Sequence, residues 1–266
     1  MQELETGHRE AFHRDLTNLA YGTAFLTRKA QDFWANAGYL QISGALPKSS
    51  LKRLRSALEA RIGPCGESPG ARHLLETCRQ VRHLAVRPWL LALVAQALGR
   101  EARAVKACLF DKRAEANWTL PWHQDKTVAL HRPAETPGFT RWTLKDGIHH
   151  AEAPRHVLEQ MLAVRVHLDD CPADRGPLLV VPGSHAAGKL TALQRDDWRR
   201  RRGEAVCLAR AGDVLLMRPL LLHRSGPVSG SGRRRVLHLE YAAVELPEGL
   251  DWRCRAGREA EGAADG

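Results

Sequence analysis

Apolar residues recur along this chain with two different periods, and the change from one to the other marks the expected elements. From Ala30 to Ala37 the spacing is helical, and Tyr39-Leu40-Gln41-Ile42 then alternates as a strand. Pro47-Lys48-Ser49-Ser50 opens a second helix, with Ser49 or Ser50 as its expected N-cap and Leu51, Leu54, Leu58 and Ile62 as its apolar stripe. Gly63 to Gly70 reads as a loop. Pro88 begins a strongly apolar helix that runs to Leu98, closes at Gly99 and is suited to pack on the outer face of a sheet. Strand patterns follow at Ala104 to Phe110, Leu162 to Leu168, Leu178 to Val181, Val214 to Met217 and Val236 to Val244. Within Leu162 to Leu168, Val164, Val166 and Leu168 share one face and Arg165 and His167 the other.

Three stretches carry no such period. Residues 1–28 form a polar leader, expected to be helical. Residues 249–266 are low in apolar content and expected to be a disordered tail. Thr127 to Pro154 is interrupted by Pro133, Pro137, Gly138 and Gly147, and reads as one long irregular loop. A loop of that length inside a compact domain is usually functional. What remains, residues 29–248, is read as one mainly β domain with flanking helices, without internal repeats.

Composition changes this picture little. At 266 residues and 44% hydrophobic content the chain can bury one large core. It has no apolar run of about 18 residues and no secretory h-region, so neither a membrane span nor export is expected. Its six cysteines are scattered without a CxxC pair, which suits free thiols in a reducing cytoplasm. The formal net charge of +10 raises the question of nucleic acid. The cations are spread along the chain, however, and the one dense cluster, Trp198 to Arg202, contains a single aromatic residue. A solvated surface, or a basic cleft for an anionic small molecule, accounts for the excess, and no nucleic-acid partner is expected.

The chemistry is concentrated in His123-Gln124-Asp125 and, far downstream, His223. Residues i and i+2 of a strand point to the same side, so His123 and Asp125 can bind one metal while Gln124 faces away. With His223 on a neighbouring strand they form a 2-His-1-carboxylate triad, which suits Fe(II) and leaves three coordination positions open. Around these residues stand Asp169-Asp170, Gly176, Pro182-Gly183-Ser184-His185, Gly212-Asp213, Ser225 and Arg233-Arg234-Arg235.

In that order, from about Phe33 to about Leu246, these residues resemble the phytanoyl-CoA dioxygenase family of Fe(II)/2-oxoglutarate oxygenases. Ser225 and Arg234 fall at the family's offsets from the second His. Arg175-Gly176 departs from the family's Asn-Gly. The resemblance implies a double-stranded β-helix (a cupin-like jelly roll), with Fe(II) on His123, Asp125 and His223, 2-oxoglutarate as cosubstrate, and O2. It implies hydroxylation of an aliphatic C–H of a small molecule, with succinate and CO2 as coproducts. The carboxylate of Asp125 argues against a halogenase, in which a small residue at this position admits chloride.

A guanidinium can neutralise the distal carboxylate of 2-oxoglutarate through two charge-assisted bonds. Arg234 is the candidate, assisted by Ser225. Strand alternation puts Arg233 and Arg235 on the opposite face, with Leu237, Leu239 and Tyr241. Arg165, His167 and Arg72 sit where the resemblance implies residues that line the cosubstrate site. Trp142, Lys145 and Lys126, with His149 and His150, lie on or beside the long loop and are candidates for a lid that meets the substrate, which an anionic group would suit. Two rival readings are a same-cofactor enzyme that desaturates, cyclises or epimerises, and a metal- or ligand-binding protein without turnover. The substrate itself is not legible.

Overall fold

The structure, a computed structural model, describes residues 16–17, 25–62, 70–229 and 232–257. Leu16–Thr17 (β1) pairs antiparallel with Phe25–Leu26 (β2), so the described part of the leader is a short ribbon and not a helix. Helix α1 (Arg28–Ala37) starts where Thr27 Oγ1 accepts the N–H of Ala30, and it ends at Gly38 in the left-handed region. Strand β3 (Tyr39–Ile42) follows, then α2 (Lys48–Ile62). The expected cap of α2 is displaced: the helix begins at Lys48, Leu51 N–H reaches Pro47 O at 3.0 Å, and Ser49 and Ser50 lie inside the first turn. The expected loop after it, residues 63–69, and Cys65 lie outside the described residues. Next come β4 (Gly70–Ala71), α3 (Leu74–Thr77), α4 (Arg79–Ala85), α5 (Pro88–Leu98), β5 (Arg103–Lys112), β6 (Leu120–His123), β7 (Thr127–Leu130), β8 (Thr140–Lys145), β9 (Ile148–Glu152), α6 (Arg155–Leu158), β10 (Met161–His167), β11 (Leu178–Val180), α7 (Ala192–Arg202), β12 (Ala205–Cys207), β13 (Val214–Met217), β14 (His223–Ser225) and β15 (Arg234–Ala242).

The strands form a large sheet in the order β3-β13-β10-β15-β5-β4 and a smaller one in the order β12-β11-β14-β6, both antiparallel. These are the two sheets of a double-stranded β-helix. Side-chain alternation gives the large sheet two different faces. On the outer one, Leu162, Val164, Val166, Leu216, Leu237, Leu239 and Tyr241 pack against Leu51, Leu58, Leu90, Leu93 and Val94 of the helices. Each such burial is worth about 1.5–3 kcal/mol over exposure, which holds the helical layer in place. Tyr241 Oη also donates to Ala85 O at 2.9 Å, satisfying the one polar atom of a fully buried ring. On the inner face, Ala163, Leu215 and Met217 pack against Leu178, Val180 and Cys207 of the small sheet.

Thr127 to Pro154 is not an irregular loop. It is a third antiparallel sheet in the order β7-β9-β8. Asp146 (φ 49°) and Gly147 (φ 74°) make the turn between β8 and β9, both in the left-handed region that a type I′ hairpin requires. Of the residues that suggested irregularity, Pro133, Pro137 and Gly138 lie between β7 and β8, and Gly147 belongs to the hairpin turn. The tail also differs from expectation. Leu250, Trp252 and Ala256 are buried, and the segment bridges to β7 and β5 at Leu130↔Trp252 and Ala104↔Ala256. The packed chain therefore extends to residue 257, and only residues 258–266 of the expected tail lie outside the described residues. No helix among the described residues is long and apolar enough to cross a membrane. Cys78, Cys108, Cys171, Cys207 and Cys254 are free thiols.

Candidate metal centre and its buried cations

His123 ends β6 and stands opposite His223 of β14 in the antiparallel ladder, with a bulge between His223 and Ser225. Asp125 lies just past the strand, where its N–H reaches Pro219 O at 2.8 Å. Gln124 between them turns away and clamps two loops: its amide donates to Gly188 O and Leu220 O, both at 2.7 Å, and its carbonyl accepts Leu190 N–H at 2.8 Å. The Pro-Gly-Ser-His turn holds the other side, since buried Ser184 accepts Leu222 N–H at 2.8 Å, one residue before His223.

Two further hydrogen bonds decide which nitrogen of each imidazole is free. Nδ1 of His123 lies 2.7 Å from Pro121 O, and Nδ1 of His223 lies 2.8 Å from Leu221 O. A carbonyl only accepts, so each Nδ1 carries a hydrogen, and Nε2 is the nitrogen each ring turns toward Asp125 and would offer to a metal. Both Nε2 atoms lie 3.7 Å from the Asp125 carboxylate, one at each oxygen. Burial keeps the His223 imidazole neutral, pushed down to about 4. Burial would also favour a neutral Asp125, but the neighbouring His223, His238, His123 and Lys106 outweigh it and keep the carboxylate ionised. Two imidazoles and one carboxylate, their ligand atoms all within 4.8 Å of one another, form a donor set that fits Fe(II).

Beside the triad the interior is lined with cations. Arg234 is buried on the inner face of β15 and donates to Gly176 O. Gly176 itself is required: its φ is 57°, and a Cβ there would come within 2.4 Å of Gly226 O. Arg233 and Arg235 point outward and are neutralised, the first by Asp111 and Glu59, the second by Asp169 and Glu59. Arg165 projects inward from β10, its NH1 3.3 Å from His238 Nδ1. Arg165 Nε, both ring nitrogens of His167 and Arg234 Nε are buried without a hydrogen-bond partner among the described residues. Orphaned donors beside two guanidinium groups fit a carboxylate ligand.

Lys112, at the end of β5, belongs to the same group and is not among the residues expected from the sequence. Its ammonium donates to Ser225 Oγ at 2.9 Å and Gly226 O at 2.7 Å, it is fully buried, and it lies over the Trp118 ring. Burial, with Arg234 and Arg165 adding to it, pushes its pKa down to about 7. The available signal was parity, since Lys112 lies in phase with Phe110 and Cys108 on β5.

The other expected site residues are placed differently. Arg72 is exposed, its guanidinium 2.5 Å from Asp146 at the tip of the β8–β9 hairpin, where His73 Nε2 also lies 2.8 Å from Asp146 O. Lys126 is half-buried, and it faces Glu152 together with Lys189 and Arg141. Trp142 is partly buried against the cluster of Val128, Leu130 and Phe139, and Lys145 is exposed on β8. Of the five candidates on or beside this sheet, His150 is the one brought inside: it is buried and lies close enough to Lys106 and Glu240 to feel their charges.

Residues 34–236 match the family model for phytanoyl-CoA dioxygenase. An L-proline trans-4-hydroxylase from Streptomyces griseoviridis is 24% identical over 243 residues, covering 78% of this chain and 83% of its own length. EctD from S. alaskensis, solved with 2-oxoglutarate and 5-hydroxyectoine, superposes with a TM-score of 0.66 at 18% identity, covering 82% of this chain and 77% of that one. SnoK, a non-heme α-ketoglutarate-dependent carbocyclase from nogalamycin biosynthesis, gives 0.64 at 17% identity over 88% of each chain. At such identities the two structures establish a shared fold. The family match spans most of the chain, and this chain belongs to the phytanoyl-CoA dioxygenase family.

Proposed function

We propose that the chain is a cytoplasmic Fe(II)/2-oxoglutarate-dependent dioxygenase that hydroxylates an aliphatic C–H of a small molecule. The observation that carries this reading is the union of a tautomer-locked His-Asp-His cluster with a buried, anion-seeking group of Arg234, Lys112 and Arg165. His123, Asp125 and His223 would hold the iron. Arg234, Lys112 and Ser225 would hold the distal carboxylate of 2-oxoglutarate, supplying charge-assisted donors where water is excluded. Bound iron with 2-oxoglutarate and O2 supplies the C–H-oxidising chemistry, and succinate and CO2 are the coproducts. The protein's own work is positioning: Gln124 and Ser184 fix the loops that carry the ligands, and the carbonyls of Pro121 and Leu221 hold each Nδ1–H so that Nε2 faces the site. The relatives named for hydroxylation of proline and for 5-hydroxyectoine support a small polar substrate. The free thiols support a reducing compartment.

A second reading keeps the same cofactors and ends in cyclisation, desaturation or epimerisation. It is supported by the fold shared with a carbocyclase, and product analysis separates it from hydroxylation. The test of the oxygenase reading is succinate formation. Protein supplied with Fe(II), 2-oxoglutarate, air and a metabolite fraction is expected to form succinate, and Asp125→Ala is expected to form none. Equal succinate formation by Asp125→Ala would reject it.

A further inference from the structure

The inner face of the large sheet carries a second charged group, at the end away from Arg234. Lys106 of β5 and Glu240 of β15 are cross-strand partners, and Lys106 Nζ lies 2.7 Å from Glu240 Oε1. His238 Nε2 lies 3.3 Å from the same oxygen. Glu240 and Asp125 line one small void with Met161 and Ala163, and Lys106 is close enough to bear on the Asp125 charge. On the third sheet, buried His150 is close enough to feel the charges of the same pair. Ion pairs at Arg233, just before β15, and at Arg235 point outward, whereas this one points inward beside the candidate metal ligands.

Position separates this group from the cosubstrate. Arg234 and Glu240 are on one strand, roughly 20 Å apart at about 3.3 Å per residue. A five-carbon diacid anchored on Arg234 covers less than half of that, so Lys106 and Glu240 lie on the side of the triad left for substrate. Charge then selects the ligand. An anion alone would take Lys106 and leave Glu240 buried without its partner, and a cation alone would do the reverse. A ligand with both charges can take both groups and keep the interior neutral.

We propose that the substrate is a small zwitterion, an amino or imino acid, whose ammonium binds Glu240 and whose carboxylate binds Lys106 in place of their mutual ion pair. This rests on the oxygenase reading above, and the experiment keeps the two apart. Protein loaded anaerobically with Fe(II) and 2-oxoglutarate is titrated in a calorimeter with the proteinogenic amino acids, L-proline included. Each binder is titrated again as its N-acetyl derivative and its methyl ester, which remove one charge apiece. At least one zwitterion is expected to bind at least about tenfold more tightly than either derivative. Lys106→Met and Glu240→Gln are each expected to weaken it by about tenfold or more while each variant still binds iron and 2-oxoglutarate. Lys106→Met/Glu240→Met removes both charges together, so it leaves neither one buried alone should a single variant fail to fold. It is expected to fold, to bind iron and 2-oxoglutarate, and to lose the zwitterion. Iron and 2-oxoglutarate binding without any zwitterion binding would overturn the proposal, as would equal binding of a blocked derivative or undiminished binding by the double variant. Failure of the wild-type protein to bind iron or 2-oxoglutarate would instead reject the oxygenase reading on which it rests.

Discussion

The two ends of the interior are built from similar residues and balanced in opposite ways. At one end Arg234, Arg165 and Lys112 converge with no carboxylate among their hydrogen-bond partners in the described residues, and the buried Nε of Arg165 and of Arg234 is unsatisfied there. At the other, Lys106 is matched by Glu240, which also meets His238. Both ends lie on β5 and β15, separated by a few rungs of one ladder. Burying an uncompensated charge is costly, so a cluster that keeps its excess implies a ligand that supplies the opposite sign. A cluster that is already neutral implies either a purely structural role or a ligand that is neutral as a whole. The same contrast explains the arginine run. Arg233 and Arg235 are each paired with acids on the outer face, and Arg234 between them is turned inward.

The largest effect that would break this contrast is expected at Arg234. Losing a buried charge-assisted partner costs on the order of 2–5 kcal/mol, so Arg234→Met should weaken 2-oxoglutarate binding by at least about tenfold while iron is retained. Arg233→Met and Arg235→Met, measured alongside, should change it little. A larger effect at either neighbour would mean that the wrong face of β15 has been assigned to the cosubstrate.

A second test uses pH. The Lys112 ammonium in the free protein loses its proton near pH 7, and a bound carboxylate favours the charged form. Below that pH, binding requires no proton. Above it, binding takes one up, so 2-oxoglutarate affinity should fall with rising pH by up to about tenfold per unit until the pKa of the bound form is reached. Calorimetry in buffers of different ionisation enthalpy would register the uptake, and Lys112→Met should flatten the profile. An unchanged slope in that variant would remove Lys112 from the cosubstrate site. The smallest effect is expected at Arg72. As an exposed ion pair with the hairpin tip it is worth no more than about 1 kcal/mol, so Arg72→Ala should alter 2-oxoglutarate affinity less than about fivefold. A larger loss would return Arg72 to the cosubstrate.

Legibility followed local physics. The triad residues could be picked out because strand parity and ligand chemistry are both written in the chain, and the inward turn of Arg234 follows from the same parity. Lys106 and Lys112 were passed over because a basic residue at alternate strand positions looks like a solvated face, and only the opposing sheet makes that face an interior. Glu240 was hidden for the same reason. Thr127 to Pro154 was misjudged because its prolines and glycines were averaged over the whole stretch, although Asp146-Gly147 is a hairpin signal with a mechanism. The tail was misjudged likewise, since the polar composition of residues 258–266 masked Leu250, Trp252 and Ala256, which pack against strands distant in sequence.

His123, Asp125 and His223 are assigned as the iron ligands, and iron binding tests that most directly. Equilibrium dialysis of wild-type protein, His123→Ala and Asp125→Ala against Fe(II) under anaerobic conditions, with circular dichroism to check folding, should give about one iron per chain for the wild type and essentially none for either variant. A folded Asp125→Ala protein that still binds a full equivalent with wild-type affinity would contradict it.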